Sequence, residues 1–223
     1  MKTFRGLNVP TSLSDVCDRD HLALLVYDVQ VGIVSQIGGS QTIVANVGRV
    51  LKAARAARIR VFFTRHMSLP LELMGAFQLR MAMAWQRVDE PNLVKPWFLR
   101  DSPGFQIAPE LTPLGAEAIF DKITMSAFEG TPLSIALRDC GVTAVAVAGI
   151  ALEVGIEPTV RHAIDLGLIP VIISDACGSG NADAARRSLE ALTFEGNALI
   201  TDVATFTGLI GRPGNDARES GAQ

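Results

Sequence analysis

The stretch Thr143–Ser174, TAVAVAGIALEVGIEPTVRHAIDLGLIPVIIS, decides the fold. It opens on an apolar run, Thr143–Ala148, and closes on a second, Ile169–Ser174. Neither run alternates strictly between apolar and polar residues, which is how strands covered on both faces read. Between them Ile156, Val160, Ala163, Ile164 and Gly167 recur at helical spacing, and Pro158 is tolerated because it falls in the first helical turn. Strand, helix, strand is the unit from which parallel sheets are built.

Working outward, His21–Tyr27 (HLALLVY) and Ile59–Thr64 (IRVFFT) read as further buried strands, with Ala118–Phe120 and Ala198–Ile200 as weaker ones. Val44, Val47, Val50, Leu51 and Ala54 mark a helix with Ser40 as its expected N-cap. Leu133, Leu137 and Cys140 mark another, its apolar face including Cys140 and its end closed by Gly141. The pattern predicts an α/β chain with a three-layer α/β/α, Rossmann-like architecture. One domain is expected over residues 21–210, preceded by an extension (1–20) and followed by a polar, flexible tail (211–223). Residues 66–115 interrupt the alternation with Met-, Pro- and Trp-rich sequence; a connection this long predicts a lid, an oligomer contact or both. No internal repeat is visible.

Composition narrows the function. Of 223 residues, 48% are hydrophobic and 19% charged, which suits a packed core rather than disorder. Lys and Arg number 20 against 23 Asp and Glu, a formal net charge of −3, so the broad positive footprint of a nucleic-acid-binding domain is missing. No uncharged apolar stretch approaches the roughly 18 residues of a membrane span, and the N-terminus does not read as a signal peptide. Cys17, Cys140 and Cys177 form neither a CxxC pair nor a disulfide framework, so a reducing, cytoplasmic location is expected.

In open parallel sheets ligands bind beyond the carboxyl ends of the strands. Asp28 stands at such an end (LLVYDVQ), with Gln30 two residues on as a candidate substrate contact, and Lys122 follows the Ala118–Phe120 run. Gly149–Gly155 follow Thr143–Ala148, and Asp175 ends the next run. Taken singly, Asp28 reads equally as a turn cap and Lys122 as a solvated side chain. Together they form an acid and a base that tune one another and pass a proton. There is no GxGxxG, so dinucleotide binding has no support.

Three blocks, LLVYDVQVGIV (24–34), FDKITMSAFEGTPL (120–133) and VAVAGIALEVGIEPTVRHAIDLGLIPVIISDA (145–176), resemble the isochorismatase-like hydrolase superfamily in order and spacing, over about Leu22 to Leu209. The resemblance implies a six-stranded, mainly parallel sheet, a small-molecule substrate, and assembly as a homodimer or homotetramer. It also implies an Asp–Lys–Cys triad in the amidases, with the Asp at Asp28 and the Lys at Lys122. The nucleophilic Cys would fall at Gly155, so this chain departs from the amidase pattern there and thioester chemistry at that position is excluded. Isochorismatases are similar in carrying Gly at this place. Their reaction needs general-acid catalysis by the carboxyl group and then water, for which Asp28 would be protonated. The YAHxG-like lead-in of isochorismatases is absent from ALEVG.

A di-acid substrate of that kind would need cationic clamps, for which Arg65, His66, Arg80 and Arg87 are candidates; Arg80 and Arg87 also fit exposed positions on a helix over 72–87. Phe128 is the expected pocket wall, the tryptophans lid packing or oligomer contacts, and backbone N–H groups around Ala151 and Gly155 the expected anion nest. The resemblance implies a cis peptide at Ile150–Ala151. No cofactor is expected, and the zinc site of nicotinamidases would need an Asp-x-His cluster that TRHMSLP lacks. Glu153 and Glu157 read either as bases for water or as favourable charges at a helix start. Three functions remain open: hydrolysis by Asp28 and Lys122, ligand binding without catalysis, or an amidase with an atypical nucleophile such as Cys177.

Overall fold

The computed structural model describes residues 1–211, so the tail expected at 211–223 lies, beyond Gly211, outside the described residues. A hairpin of β1 (Lys2–Phe4) and β2 (Leu7–Val9) and a single-turn helix, α1 (Leu13–Val16), lead into β3 (Leu22–Tyr27). The chain continues through α2 (Val31–Val34), α3 (Ser40–Ala56), β4 (Arg60–His66), α4 (Ala76–Gln86), β5 (Ala118–Lys122) and α5 (Leu133–Asp139). It ends with β6 (Ala144–Ile150), α6 (Glu157–Asp165), β7 (Ile169–Gly178), α7 (Ala182–Glu195), β8 (Leu199–Thr201) and α8 (Val203–Ile210).

Strands β3 to β8 form one six-stranded sheet in the order β5-β4-β3-β6-β7-β8, with every pairing parallel. The chain winds outward from β3 to β5, then returns to the centre at β6 and winds the other way. β3 and β6 are therefore neighbours at the point where the winding reverses, and a crevice opens beyond their carboxyl ends.

Successive side chains of a strand point to opposite faces, and the two central strands divide on that rule. Leu22, Leu24 and Val26 of β3 and Ala144, Ala146 and Ala148 of β6 face a core completed by Val47, Val50 and Leu51 of α3 and Phe206 of α8. Ala23, Leu25, Tyr27, Val145 and Val147 face the other core, completed by Leu133 and Leu137 of α5, Val160 of α6 and Leu192 of α7. Both faces are covered, which is why these runs carry no polar alternation.

The boundaries moved in places. Gly39, at φ 70°, takes the cap position of α3 and Ser40 is its first residue. The helix expected over 72–87 divides into a 3₁₀ turn at Leu71–Leu73 and α4. Cys140 is exposed at the C-cap of α5 rather than on its apolar face. Between His66 and Ala118 there is no sheet strand, only α4, three further 3₁₀ turns and an isolated bridge from Gln30 to Ile107. Val16 and Cys17 pack into the first core, while β1 and β2 are exposed throughout.

Candidate active site

Asp28 is the first residue beyond β3, at φ 48°, in the left-handed region that residues with a Cβ seldom adopt. Such conformations persist where surrounding bonds over-determine them. Here the Asp28 N–H donates to the Thr64 carbonyl (3.2 Å), Oδ1 accepts from the Thr64 hydroxyl (2.7 Å), and Oδ2 accepts from Lys122 Nζ (2.6 Å). Asp28 and Lys122 are 3% exposed each, so this ion pair is screened from water.

Lys122 reaches the carboxylate from β5, two strands away. Its ammonium also donates to the Tyr27 hydroxyl (2.9 Å) and to the Thr124 carbonyl (3.1 Å), which spends all three donors. Burial pulls the Lys122 ammonium below its ordinary pKa, and the Asp28 charge opposes that shift. The contact is a charge-assisted hydrogen bond between the ammonium and the carboxylate, buried away from solvent.

Behind the pair, the Tyr27 hydroxyl donates to the Met125 carbonyl. Burial, followed by the neighbouring Asp28 charge, holds this phenol well above its ordinary pKa, so it stays neutral. Two glycines admit the arrangement. Gly149, paired with Tyr27 at φ 144°, leaves room for the β3 backbone: a Cβ there would stand 2.8 Å from the Tyr27 carbonyl carbon. Gly155 leaves room for the ring, since a Cβ would stand 2.5 Å from Tyr27 Cζ and 2.7 Å from Cε1.

Beyond β6, past a cis peptide at Ile150–Ala151, the chain makes a π-type turn, Leu152–Ile156, that enters α6. The Gly155 N–H donates to the Ala151 carbonyl (3.0 Å), so it is not free for the expected anion nest. The Ala151 N–H is paired with no backbone acceptor among the described residues, and Ala151 lines the cavity.

That cavity has a volume of about 450 Å³. Tyr27, Asp28 and Gly155 lie on it with Ile150 and Ala151, and Trp85, Trp97 and Phe98 come over from the 66–115 segment. The segment is pinned by the Gln86 side chain on Lys95 (2.8 and 2.9 Å) and by the Ser68 N–H on the Phe98 carbonyl (2.9 Å). His66 also lines the cavity, its ring edge-on to Trp85 and Phe98. Burial, and then the Lys122 charge, press its pKa down to about 4, so it is neutral near pH 7. Asp28, Gln36, His66 and Arg87 supply polar side chains to a wall that is otherwise largely apolar.

Several expected residues fall elsewhere. Arg65 is bound to Asp121 (2.8 and 3.2 Å) and stacked on Phe105, away from the cavity. Arg80 is exposed on α4 and does not line it. Arg87 does, and is the only arginine to do so among the described residues. Gln30 is fully buried with its amide spent on backbone: Nε2 on the His66 and Phe105 carbonyls (3.0 Å each) and Oε1 on the His66 N–H (2.6 Å). It braces the loops rather than facing a ligand. Phe128 packs on His162 in the α6-side core, and Trp85 and Trp97 form the wall instead.

Glu153 accepts from the Gly180 and Asn181 N–H groups (2.7 and 2.8 Å), and Glu157 is held by Arg161 and Ser188. Asp175 accepts from the Val203 N–H (2.8 Å) at the start of α8. Cys177 is buried, lies outside the cavity, and burial pushes its thiol up to about 12. Tyr27 and Thr64 complete the site without a signal in the sequence. An aromatic residue inside an apolar run reads as core, and Thr64 becomes visible only once β3 and β4 are aligned, Tyr27 opposite Thr64. Among the described residues no group of three or more His, Cys, Asp or Glu is arranged to hold a metal ion, and no helix is long and apolar enough to cross a membrane.

Comparison with known proteins defines the class. The isochorismatase domain matches residues 22–205, so the chain belongs to the isochorismatase family and is a hydrolase of that family. It is 29% identical to an uncharacterized isochorismatase family protein, YecD, of Escherichia coli O157:H7, over 75% of this chain and 85% of that one. It is 26% identical to the ureidoacrylate amidohydrolase RutB of Enterobacter sp. (strain 638), over 86% and 90% respectively. A crystal structure of a cysteine hydrolase from Pseudomonas syringae pv. phaseolicola 1448A superposes with a TM-score of 0.73 at 24% identity, covering 86% of this chain and 93% of that one.

Proposed function

We propose that this protein hydrolyses a small molecule without a covalent enzyme intermediate, using Asp28 and Lys122 as a proton-sharing pair and water as the nucleophile. The observation that carries the reading is the buried 2.6 Å contact between the two side chains at the edge of a cavity on which no Cys or Ser stands. Asp28, holding the shared proton, delivers it to the carbon of an enol ether or to the leaving oxygen or nitrogen. Water adds to the carbon made electrophilic, the scissile C–O or C–N bond breaks, and the proton lost by water returns to the pair. General acid–base catalysis of this kind contributes about 10²–10⁴-fold.

The walls set the substrate class. With Arg65 engaged, Arg80 outside and His66 neutral, Arg87 is the cation left for an anionic group. This favours a substrate with an apolar body and one anionic group over a di-acid. An amidase based on Cys177 is disfavoured by that residue's burial outside the cavity. Exposed Leu73, Phe77 and Leu93 on the 66–115 segment support assembly as a homodimer or homotetramer through that segment, and three free cysteines support a cytoplasmic location. The test is a screen of enol ethers, esters and amides for turnover that the Asp28→Asn variant lacks.

A further inference from the structure

The space beside Gly155, in the turn Leu152–Ile156, is filled from β3. Tyr27 ends β3, 2% exposed and packed in the α6-side core, and its hydroxyl is held between Lys122 Nζ and the Met125 carbonyl. The volume that any side chain at 155 would enter is filled by the phenol, whose Cζ and Cε1 stand 2.5 and 2.7 Å from an ideal Cβ. Real Cβ atoms essentially never approach other atoms so closely. Moving the ring aside would break its contacts with the α6-side core and both hydrogen bonds of its hydroxyl, so the clash carries a cost even though one side of Tyr27 borders the cavity.

We infer that Tyr27 is the specificity-determining residue that commits this site to water: its phenol occupies the place from which a side chain at 155 would attack, and its hydroxyl braces Lys122 against Asp28. The inference rests on the proposed water-dependent reading but reaches further, because it makes residues 27 and 155 mutually exclusive. A side chain at 155 requires a smaller residue at 27. The phenol itself is held neutral by burial, so it is a hydrogen-bonding brace and not a second nucleophile.

The test is a double-mutant cycle that needs no substrate. Gly155→Cys in the otherwise unchanged protein is expected to lower Tm by about 3–10 °C, the range of an overpacked core. Tyr27→Val clears the space, and adding Gly155→Cys to it is expected to move Tm by less than about 2 °C further, within the scatter of compatible swaps. The thiol introduced in the double variant should be alkylated by iodoacetamide faster than Cys17 or Cys177, both buried. Should Gly155→Cys alone prove too unstable to purify, Gly155→Ala serves in its place for the melting arms. Equal losses of Tm on adding the 155 substitution in both backgrounds, or an unperturbed Gly155→Cys protein, would overturn the inference. Either result leaves the Asp28–Lys122 reading standing, since that is judged by turnover.

Discussion

Thr64 and Lys122 grip the two oxygens of Asp28 from strands on the same side of it, the hydroxyl at 2.7 Å on Oδ1 and the ammonium at 2.6 Å on Oδ2. Neither contact is local in sequence: 36 residues separate Asp28 from Thr64 and 94 separate it from Lys122. The sheet order brings them together, because β4 and β5 lie successively beside β3.

Lys122→Met removes one half of a buried pair and leaves the carboxylate without its counter-ion. Breaking such a pair costs about 3–5 kcal/mol, so chemical denaturation should show a loss of that size together with a loss of turnover. Combined with Asp28→Asn, the effect on kcat should be smaller than the product of the single losses, because groups acting as a unit are not additive.

Alkylation separates this site from a thiol-dependent one. Burial raises the Cys17 thiol to about 11 and the Cys177 thiol to about 12, whereas Cys140 is exposed. Iodoacetamide should modify Cys140 first, by mass spectrometry, with turnover unchanged. Stoichiometric inactivation on modification of Cys177 would point to the atypical amidase.

His66 predicts a direction for stability against pH. Its pKa is lowered to about 4 in the folded chain, from an ordinary 6.5, so between these values the unfolded chain binds the extra proton. Its contribution is fully present above about pH 6.5 and lost as pH falls toward 4. Melting temperature should drop over that window, and less steeply in His66→Gln. A variant with the unaltered slope would remove His66 from the account.

The 66–115 segment builds the cavity wall through Trp85, Trp97 and Phe98. Trp97→Ala should therefore raise KM more than it lowers kcat, or change the elution volume on a sizing column. Unchanged KM and unchanged size would reduce the segment to a surface insertion.

Much of this was legible before the structure. The doubly covered strands announced themselves as apolar runs, and the strand-end positions of Asp28 and Lys122 were readable, although neither residue's partners were. The errors have a common physical source: a sequence gives position along an element but not the direction of a side chain or what already occupies it. Arg65 sits at the right strand end yet is claimed by Asp121, and the Gln30 amide is consumed by backbone. Tyr27 and Gly155 lie 128 positions apart, and their exclusion of one another is a matter of packed volume that no local pattern reports.

The most direct test of the central claim is kcat of Asp28→Asn on a substrate found by the screen, with a thermal melt to show that the variant is folded. Asparagine keeps the shape and most of the hydrogen bonding but cannot exchange the shared proton. The account predicts a folded protein whose kcat is lower by about 10²–10⁴-fold. A folded variant turning over within about threefold of the parent, far below the ordinary acid–base contribution, would contradict it.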